Sequence, residues 1–508
     1  MVFTMINKLK KIGRYSLNFW YFLCAFFTVI CLLFFFISKF IKISFGRIPF
    51  SQVIFNTFTK TDGMTGAIKG LEIYVVQCSA LFLLSFLFII SLTFILYKLL
   101  NKYPYIKLFA IFFFSITYLS ISYFSLAYIE KNFQAISYFK KENSNFIYDN
   151  YYRLDRSSIE FKDGKKSNLI LIFVESLEKG YSNKDVYGEN LIPSLSAYLS
   201  EGISFDNFQK VQGAYFTIDG ISAQTTGMPL LQLPDDFHMI PTDSYGSVMS
   251  NTAGVFNVLK DQGYQTVSFI GSPGWFTNMN LFLEKHGIQV LHDRNSFVDD
   301  GYELNEKTLG FHDSFRDDFL IEKFKEYLTN QIDPSKNFGA VIQTYDTHFP
   351  SGFCPKEFKK HGEDNIFDAW LYTDYLVGGF LDWAKTQSWY NNTVIIVVGD
   401  HPWQDSNNDF SNLTKKDNLR QIYNLIIHSR AKKVDNSCSY SNIDMAPTIL
   451  NALGISFRSF SNSGKQSNSK LGLGVSLFSD EKTLVCTYGK DDLINKLSKY
   501  SFFYDTLQ

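Results

Sequence analysis

The sequence predicts an α/β protein in which N-terminal transmembrane helices precede a mostly parallel sheet flanked by helices. The first 130 residues contain long apolar stretches that lack charged side chains. The remainder alternates apolar runs of strand length with stretches of helix length, a pattern typical of a parallel sheet with helices on both faces. At 508 residues the chain is long enough for more than one domain.

Three charge-free stretches near the N-terminus are long enough to cross a membrane, because a helical span takes roughly 20 apolar residues. They are residues 17–38, 73–97 and 108–128. A cleaved signal peptide is the alternative for the first stretch, but no small-residue cleavage pattern follows it. We therefore predict a membrane domain at residues 1–130 with three transmembrane helices.

The basic residues around these stretches predict which side of the membrane each connection faces. They are Lys8, Lys10, Lys11 and Arg14 before the first stretch, and Lys98, Lys102 and Lys107 between the second and the third. By the positive-inside rule both segments are cytoplasmic, so the chain after residue 128 lies on the far side. Residues 39–72 also carry basic residues, which leaves an interfacial or re-entrant element open there.

Composition excludes several classes of protein. The 48 Lys+Arg against 49 Asp+Glu leave a formal net charge of −1, so there is no general basic field for a nucleic acid. Hydrophobic residues make up 46% and prolines number 12, which excludes a disordered or collagen-like chain. Outside the apolar stretches only Cys354, Cys438 and Cys486 remain, so at most one intrachain disulfide forms and no zinc-type spacing occurs.

The part after the membrane domain divides into a polar segment and an α/β domain. We predict a juxtamembrane linker at residues 131–166 and the α/β domain at 167–508. Apolar runs of strand length occur at 168–176, 266–271, 338–345, 393–400 and 421–429, and helical stretches at 192–201, 315–330, 366–388 and 443–453. Ligands of such sheets bind at the carboxyl ends of the strands.

Acidic residues and histidines stand at three of these strand ends. Glu175 ends the first run, His348 follows the run at 338–345, and Asp400 and His401 follow the strand before them. Each alone has a structural explanation as a loop cap or a hydrogen-bonded histidine. Because the carboxyl ends of parallel strands share one edge, we expect them to converge. Oxygen ligands with imidazole suit Mn²⁺, Mg²⁺ or Zn²⁺, so the sequence predicts a divalent-metal site.

The segment at 213–220 (GAYFTIDG) supplies a reacting group. Thr217 is predicted to be the first residue of a helix that runs toward Thr226. The N–H groups and positive end of a helix start stabilise both an alkoxide and a phosphoryl oxygen. The alternative is that Thr217 is an ordinary N-cap, and the local sequence does not decide between the two.

Five motifs in order resemble a known family. They are VESLE at 174–178, YFTIDGISAQTTGMPL at 215–230, DTHFPSGF at 346–353, VVGDH at 397–401 and DMAPTILNALG at 444–454. In this order they resemble the sulfatase-fold transferases of the alkaline phosphatase superfamily. The likeness is closest to the membrane phosphoglycerol transferases that modify periplasmic glucans, and more distant to the lipoteichoic acid synthases. It covers roughly residues 168–478 and implies a sulfatase-like sheet in the domain at 167–508.

The resemblance implies roles for individual residues. Glu175, Asp400 and His401 match metal ligands, and Thr217 matches a nucleophile that is also a metal ligand. His348 matches a histidine that contacts the substrate phosphate or protonates the leaving oxygen. The resemblance therefore implies one divalent ion, Mn²⁺ or Zn²⁺ rather than Mg²⁺, although Mg²⁺ is also compatible.

Residues 309–313 correspond to a motif that binds the phosphoglycerol head group in the lipoteichoic acid synthases. In the synthases a Trp-Gly-x-Arg/Lys-Asp stretch helps to hold the phosphoglycerol head, whereas residues 309–313 here read Leu-Gly-Phe-His-Asp. The tryptophan and the basic residue are absent. By position in this motif, His312 and Asp313 are the expected substrate-binding residues, together with His348.

The resemblance implies transfer of phosphoglycerol from phosphatidylglycerol onto a periplasmic or cell-surface glycan, through a phospho-threonine intermediate. The protein would lie in the bacterial cytoplasmic membrane with its catalytic domain facing the periplasm or cell exterior. One alternative is a phosphoethanolamine transferase acting on lipopolysaccharide core sugars. A second is a phosphodiesterase or sulfatase-like hydrolase, although Thr217 does not stand in the C/S-x-P-x-R context of a sulfatase. A membrane scaffold with a degenerate site is the non-enzymatic alternative.

Overall fold

The computed structural model describes residues 2–45, 50, 72–100, 103–133, 135, 144–211, 213–230, 249–349, 351–362, 365–403, 420–434, 437–499 and 501–507. The described residues form two compact units, one within residues 1–140 and one within 141–508. The first unit consists of long apolar helices. The second contains the sheets.

The described residues of the first unit form three long helices: α1 (Val2–Phe45), α2 (Glu72–Leu100) and α3 (Pro104–Phe133). Each contains a segment that is apolar and long enough to cross a membrane, namely Phe19–Lys42, Val75–Ile95 and Phe109–Phe133. This confirms the three predicted apolar helices. Large apolar side chains on them are exposed, as expected of helices surrounded by lipid, and Phe109 is 72% exposed.

Small polar side chains join the three helices. The hydroxyl oxygens of Thr28 and Ser122 lie 3.1 Å apart and link α1 to α3. Those of Thr93 and Tyr118 lie 2.8 Å apart and link α2 to α3. Hydrogen bonds of this kind hold helices together in lipid, where apolar burial between helices supplies little driving force.

The second unit contains twelve strands among the described residues. They are β1 (Tyr152–Phe161), β2 (Asn168–Val174), β3 (Gly202–Ile203), β4 (Gln265–Ile270), β5 (Val290–His292), β6 (Phe338–Gln343), β7 (Thr393–Gly399), β8 (Asn424–Ile427), β9 (Ile455–Ser461), β10 (Gln466–Ser467), β11 (Lys470–Leu471) and β12 (Gly474–Val475). Seven of them form the main sheet in the order β3-β8-β7-β2-β6-β4-β5. Strands β7, β2, β6, β4 and β5 are parallel.

The helices of this unit lie between the strands in sequence. They are α4 (Lys184–Tyr187), α5 (Pro193–Tyr198), α6 (Thr217–Thr226), α7 (Val255–Asp261), α8 (Met279–Lys285), α9 (Arg294–Asp299), α10 (Asp317–Asn330), α11 (Ile366–Lys385), α12 (Met445–Ala452), α13 (Leu484–Tyr488), α14 (Lys490–Leu497) and α15 (Phe502–Asp505). The α/β fold class predicted from the sequence is therefore confirmed. Helix α6 begins at Thr217, where the sequence predicts it.

The main sheet is buried on both faces, which explains the continuous apolar runs. Along β2, Leu169, Leu171 and Phe173 belong to one hydrophobic core. Their neighbours Ile170 and Ile172 belong to the core on the opposite face. Successive side chains of a strand point to opposite faces, so a strand covered on both sides is apolar at every position.

Two parts of the chain differ from the sequence-based expectation. The run at 421–429 contains strand β8, but β8 is antiparallel to β7, because an apolar run reports burial on both faces and carries no information about direction. Within the predicted linker at 131–166, strand β1 pairs antiparallel with β9. Strand β1 is a half-buried strand of the small sheet β1-β9-β10. Because it contains charged residues such as Arg153 and Asp155, its sequence does not show the apolar pattern of a strand.

A disulfide joins Cys438 to Cys486 in the second unit. Cys354 is buried as a free thiol. The single bridge agrees with the limit set by the cysteine count, although the count could not choose the pair. It connects the segment before α12 to helix α13.

Helix α6 packs closely against the residue that follows β7. A methyl group added at Gly220 would overlap the carbonyl oxygen of Asp400. Two hydrogen bonds keep this carbonyl in place: Gln224 Nε2 donates to it at 3.0 Å and Asn442 Nδ2 at 2.6 Å. The absence of a side chain at Gly220 therefore allows α6 to approach the end of β7.

We predict that Gly220→Ala destabilises the protein by about 1–3 kcal/mol, because the added methyl meets fixed backbone. Thermal unfolding of the purified full-length protein measures the loss. The matched control is Gly379→Ala in α11, where an added methyl meets nothing within 4 Å and should stabilise the helix by about 0.5–1 kcal/mol. A Gly220→Ala variant as stable as the wild type would contradict the close packing.

Candidate functional site

Neighbouring strands of the main sheet deliver the predicted site residues to one edge. Strands β7, β2 and β6 are adjacent, and in the parallel register Val174 of β2 stands opposite Gly399 of β7. The next residues, Glu175 and Asp400, therefore leave the sheet side by side. His348 follows β6 on the other flank of β2. This edge is where parallel α/β sheets bind their ligands.

Glu175, Asp400 and His401 form a buried cluster. Their candidate ligand atoms lie within 4.8 Å of one another. His401 Nε2 is 3.3 Å from Glu175 Oε1 and 3.7 Å from Asp400 Oδ2. Two carboxylates without access to water carry a high free-energy cost unless a cation compensates them.

The orientation of the imidazole suits metal binding. His401 Nδ1 donates a hydrogen bond to the carbonyl oxygen of Pro402 at 3.0 Å, so Nε2 faces the carboxylates. Metal-bound histidines commonly donate their second ring nitrogen to a carbonyl in this way. The donor set of two carboxylates and one imidazole fits a divalent cation. These three residues could therefore hold a divalent metal ion.

The charged residues of the cluster shift each other's pKa values. Burial and the negative charge of Glu175 raise the pKa of Asp400 to about 7. Burial alone would lower the pKa of His401, but the charges of Asp400 and Glu175 outweigh it and raise that pKa to about 9. For Glu175, the positive charge of His401 outweighs burial and lowers the pKa. Because a ligand imidazole is neutral, a cation that binds here displaces a proton.

Thr217 lies next to this cluster. Its Oγ1 donates a hydrogen bond to Glu175 Oε2 at 2.9 Å. The residue in the N-cap position of α6 is Phe216, which makes no side-chain cap. The hydroxyl of Thr217 therefore points at the carboxylate of Glu175, and the N-cap alternative does not describe it.

Hydrogen bonds around the cluster orient its carboxylates. Ser176, whose backbone has a φ of 55°, donates its N–H to Asp400 Oδ1 at 2.8 Å and its hydroxyl to Glu175 Oε1 at 2.7 Å. Thr347 Oγ1 donates to the carbonyl oxygen of Glu175 at 2.6 Å. The sequence analysis did not identify Ser176 or Thr347. Their positions directly beside Glu175 and His348 are the only sequence signal for them.

His348 lies outside the three-residue cluster. Its Nδ1 donates to the carbonyl oxygen of Phe349 at 2.8 Å. Its ring stacks on that of Phe311, with centroids 5.6 Å apart, and meets that of Tyr345 at a tilt, with centroids 5.1 Å apart. Burial lowers its pKa, and the charge of Glu175 opposes that shift. The imidazole therefore stands within electrostatic range of Glu175 without joining the cluster.

The segment Phe311–Asp313 forms a single 3-10 turn beside His348. The carbonyl oxygen of Asp313, whose φ is 57°, accepts a hydrogen bond from Arg294 Nη1 at 3.2 Å. The side chain of His312 lies outside the described part of the chain. Because Phe311 stacks on His348, the turn that contains His312 and Asp313 lies beside the third predicted substrate-binding residue.

A pair of buried aspartates ties this turn to the sheet. Asp346 accepts N–H bonds from Asp317 at 2.8 Å and from Phe311 at 3.3 Å. Asp317 accepts N–H bonds from Tyr345 at 2.7 Å and from Asp346 at 3.0 Å. Burial and the charge of Asp346 raise the pKa of Asp317 well above its usual value. The sequence analysis did not identify Asp317, because its partners are distant in sequence.

Comparisons with known proteins identify the family of the domain that contains this site. A family described as Sulfatase matches residues 167–455, which confirms the resemblance that the motifs indicate. Phosphoglycerol transferase I of Xanthomonas axonopodis pv. citri is 27% identical over 296 residues, which cover 57% of this chain and 41% of that protein. Its counterpart in Escherichia coli (strain 55989) is 28% identical over 298 residues, covering 57% of this chain and 38% of that protein.

The chain thus spans less than half the length of these curated relatives. A solved structure of an alkaline phosphatase superfamily protein from Vibrio parahaemolyticus is 21% identical, with a TM-score of 0.45 over 66% of this chain and 74% of that one. The family match contains Glu175, Thr217, His348, Asp400 and His401 and covers more than half of the 508 residues. The chain belongs to the sulfatase family.

Proposed function

We propose that this protein transfers the phosphoglycerol head group of phosphatidylglycerol onto a periplasmic or cell-surface glycan, and that residues 167–508 carry the reaction. The observation that carries the proposal is the Thr217 hydroxyl, 2.9 Å from Glu175 in a cluster able to hold a metal ion. The naming of the curated relatives as phosphoglycerol transferases supports this head group. Thr217 also lacks the cysteine or serine context of formylglycine formation, which disfavours sulfate hydrolysis.

Thr217 is the proposed nucleophile of a first displacement. Its Oγ1 forms a bond to the phosphorus of the lipid phosphodiester while the bond from phosphorus to the diacylglycerol oxygen breaks. The hydroxyl proton leaves toward Glu175, its hydrogen-bond acceptor, and the diacylglycerol oxygen takes a proton from His348. The products are diacylglycerol and a head-group phosphate esterified to Thr217. The N–H groups at the start of α6 stabilise the developing negative charge.

The second displacement regenerates Thr217. An acceptor hydroxyl forms a bond to the phosphorus while the bond from phosphorus to Thr217 Oγ1 breaks. The acceptor proton passes to His348, and the proton that Glu175 accepted in the first step returns to Oγ1. Because Nδ1 of His348 donates a hydrogen bond to the carbonyl oxygen of Phe349, Nε2 is the nitrogen that exchanges the proton. One histidine that alternates as acid and base thus serves both steps.

The proposed metal ligands are Glu175, Asp400, His401 and the oxygen of Thr217. A divalent cation supplies charge that favours the threonine alkoxide and offsets the phosphate charge. Mn²⁺ and Zn²⁺ suit a set that includes imidazole best, and Mg²⁺ is compatible with its oxygen ligands.

We propose that the catalytic domain faces the periplasm or cell exterior, where lipid head groups and surface glycans meet. The basic residues between the second and third helices support this orientation. The Cys438–Cys486 disulfide also supports it, because disulfides persist mainly outside the cytoplasm.

A phosphatase reporter fused to the C-terminus should therefore be active, and a reporter that works only in the cytoplasm should be silent. The reverse result would invert the topology and exclude this donor.

We predict that Thr217→Ala abolishes transfer and costs about 1.5–3 kcal/mol of stability, because the hydroxyl that it removes donates a hydrogen bond to the carboxylate of Glu175. Mass spectrometry after incubation with phospholipids should find an adduct on Thr217 of the wild type, and its mass separates phosphoglycerol from phosphoethanolamine. Thr217→Ser is the matched control, because it keeps a hydroxyl that can carry the adduct. Transfer by Thr217→Ala above a few per cent of wild type would remove Thr217 as the nucleophile.

We predict that His348→Ala lowers kcat by about 10²- to 10⁴-fold, the usual contribution of general acid catalysis, while metal content stays nearly unchanged. The reason is that His348 lies outside the Glu175–Asp400–His401 cluster. For the proposed substrate-binding residues, His312→Ala and Asp313→Asn should act mainly on KM. If His348→Ala empties the metal site instead, His348 is a ligand and the proton donor lies elsewhere.

A further inference from the structure

The second unit exposes phenylalanine side chains to solvent. Among its described residues, three phenylalanines are exposed: Phe146 at 52%, Phe460 at 38% and Phe502 at 62%. Exposed apolar side chains that are scattered singly are ordinary, whereas a group of them marks a surface that contacts lipid or another protein. Contacts between neighbouring residues place these three phenylalanines on one surface.

Phe146 and Phe502 lie on adjoining segments. The Oγ of Ser501 donates a hydrogen bond to Asn145 Oδ1 at 2.7 Å. Asn145 directly precedes Phe146, and Ser501 directly precedes Phe502, the first residue of α15. This hydrogen bond therefore brings the segment before β1 together with the start of α15.

Phe460 joins the same surface through Arg153. The two residues are opposite each other in the pairing of β1 with β9, so their side chains are on the same face of the small sheet. Both are exposed. The Cζ atom of Arg153 lies 5.7 Å from the ring centroid of Phe503, the residue after Phe502. Phe146, Phe460, Phe502 and Phe503 thus form one surface, the aromatic surface.

Basic side chains lie against these rings. Besides Arg153, Lys496 Nζ is 4.9 Å from the ring centroid of Phe146, and Arg458 Cζ is 5.8 Å from that of Phe460. Long basic side chains cover apolar surface with their stems and keep their charged ends in water. Phenylalanine combined with lysine and arginine is typical of protein surfaces that lie at the boundary between membrane and water.

The charge of the aromatic surface favours anionic lipid. Lys496 is paired with Asp492 at 3.5 Å, and Arg458 with Asp155 at 3.3 Å. Arg153 forms no ion pair with any residue that the structure describes. Among these five side chains one positive charge is therefore left over, and an anionic phospholipid head group can compensate it.

The position of the aromatic surface in the sequence also favours a membrane as its partner. Phe146 is the thirteenth residue after Phe133, where the apolar segment of α3 ends. The surface thus begins a short stretch of chain after a helix that is long and apolar enough to cross a membrane. No other apolar partner is as close to it in sequence.

We propose that the aromatic surface rests on the lipid bilayer, with its phenylalanine rings among the head groups and Arg153 beside an anionic phosphate. The second unit is then held against the membrane by its own side chains as well as by the chain that follows α3. This contact goes beyond the proposed transfer reaction and does not depend on it.

A photocrosslinking side chain measures the contact directly. Phe502→p-benzoylphenylalanine is made in the full-length protein, which is reconstituted into vesicles of phosphatidylglycerol and phosphatidylcholine. Irradiation should attach lipid covalently at this position, and mass spectrometry identifies the adduct. The matched control is Tyr375→p-benzoylphenylalanine, because Tyr375 is 60% exposed on α11, outside the aromatic surface. The control should give at least about 10-fold less lipid adduct, as expected of a side chain in water.

Arg153→Gln, combined with the crosslinker at Phe502, tests the charge. It should lower the yield of lipid adduct by about 5-fold in the vesicles that contain phosphatidylglycerol, the usual contribution of one basic residue at an anionic surface. In vesicles of phosphatidylcholine alone it should leave the yield unchanged. Arg156→Gln is the matched control, because Arg156 also lies on β1 but is paired with Asp261, and it should leave the yield unchanged in both vesicles.

Thermal unfolding of each variant checks that the fold is retained. The crosslinking needs no turnover, so its result stands whether or not the Thr217 adduct is found. Equal yields of lipid adduct at Phe502 and Tyr375 would overturn the proposal. A crosslink from Phe502 to a second copy of the chain or to another protein, without lipid, would also overturn it.

Discussion

The buried pairing of Glu175 and Asp400 with His401 is the interaction on which the rest of the site depends. Two carboxylates share a space from which water is excluded, so the fold must supply positive charge and hydrogen-bond donors to both. His401 supplies the charge, and the N–H and hydroxyl of Ser176 supply donors. The left-handed backbone at Ser176 is the conformation that brings both donors to the cluster. Because a cation compensates two carboxylates better than one imidazolium does, the same arrangement favours a divalent metal.

The parallel sheet places the two carboxylates side by side, and helix α6 packs against them. Adjacent parallel strands end at the same edge of the sheet, so the residues that follow them, Glu175 and Asp400, lie side by side. Gly220 lets α6 approach the carbonyl oxygen of Asp400, and that approach brings the Thr217 hydroxyl to Glu175. The proposed nucleophile, the proposed metal ligands and the N–H groups of the helix start therefore belong to one packing arrangement. The three helices long and apolar enough to cross a membrane suit the proposed lipid donor, whose head group is available only at the bilayer surface.

Much of this could be predicted from the sequence, because burial and strand ends leave a local signal. Continuous apolar runs marked the central strands, and the polar residues directly after them marked the site. Features that depend on distant partners left no such signal. The antiparallel direction of β8, the pairing of β1 with β9, the bridge between Cys438 and Cys486, and the reciprocal bonds of Asp317 and Asp346 all join segments far apart in sequence. The charged strand β1 also lacks the apolar pattern by which strands are identified.

The most direct test of the central claim is the position of the metal. Crystals of the full-length protein grown with Zn²⁺, with anomalous data collected at the zinc edge, locate the ion without reference to activity. The account predicts one peak within about 2.2 Å of four atoms. They are a carboxylate oxygen of Glu175, a carboxylate oxygen of Asp400, Nε2 of His401 and Oγ1 of Thr217. A peak that excludes Thr217, or one away from this edge of the sheet, would contradict the account.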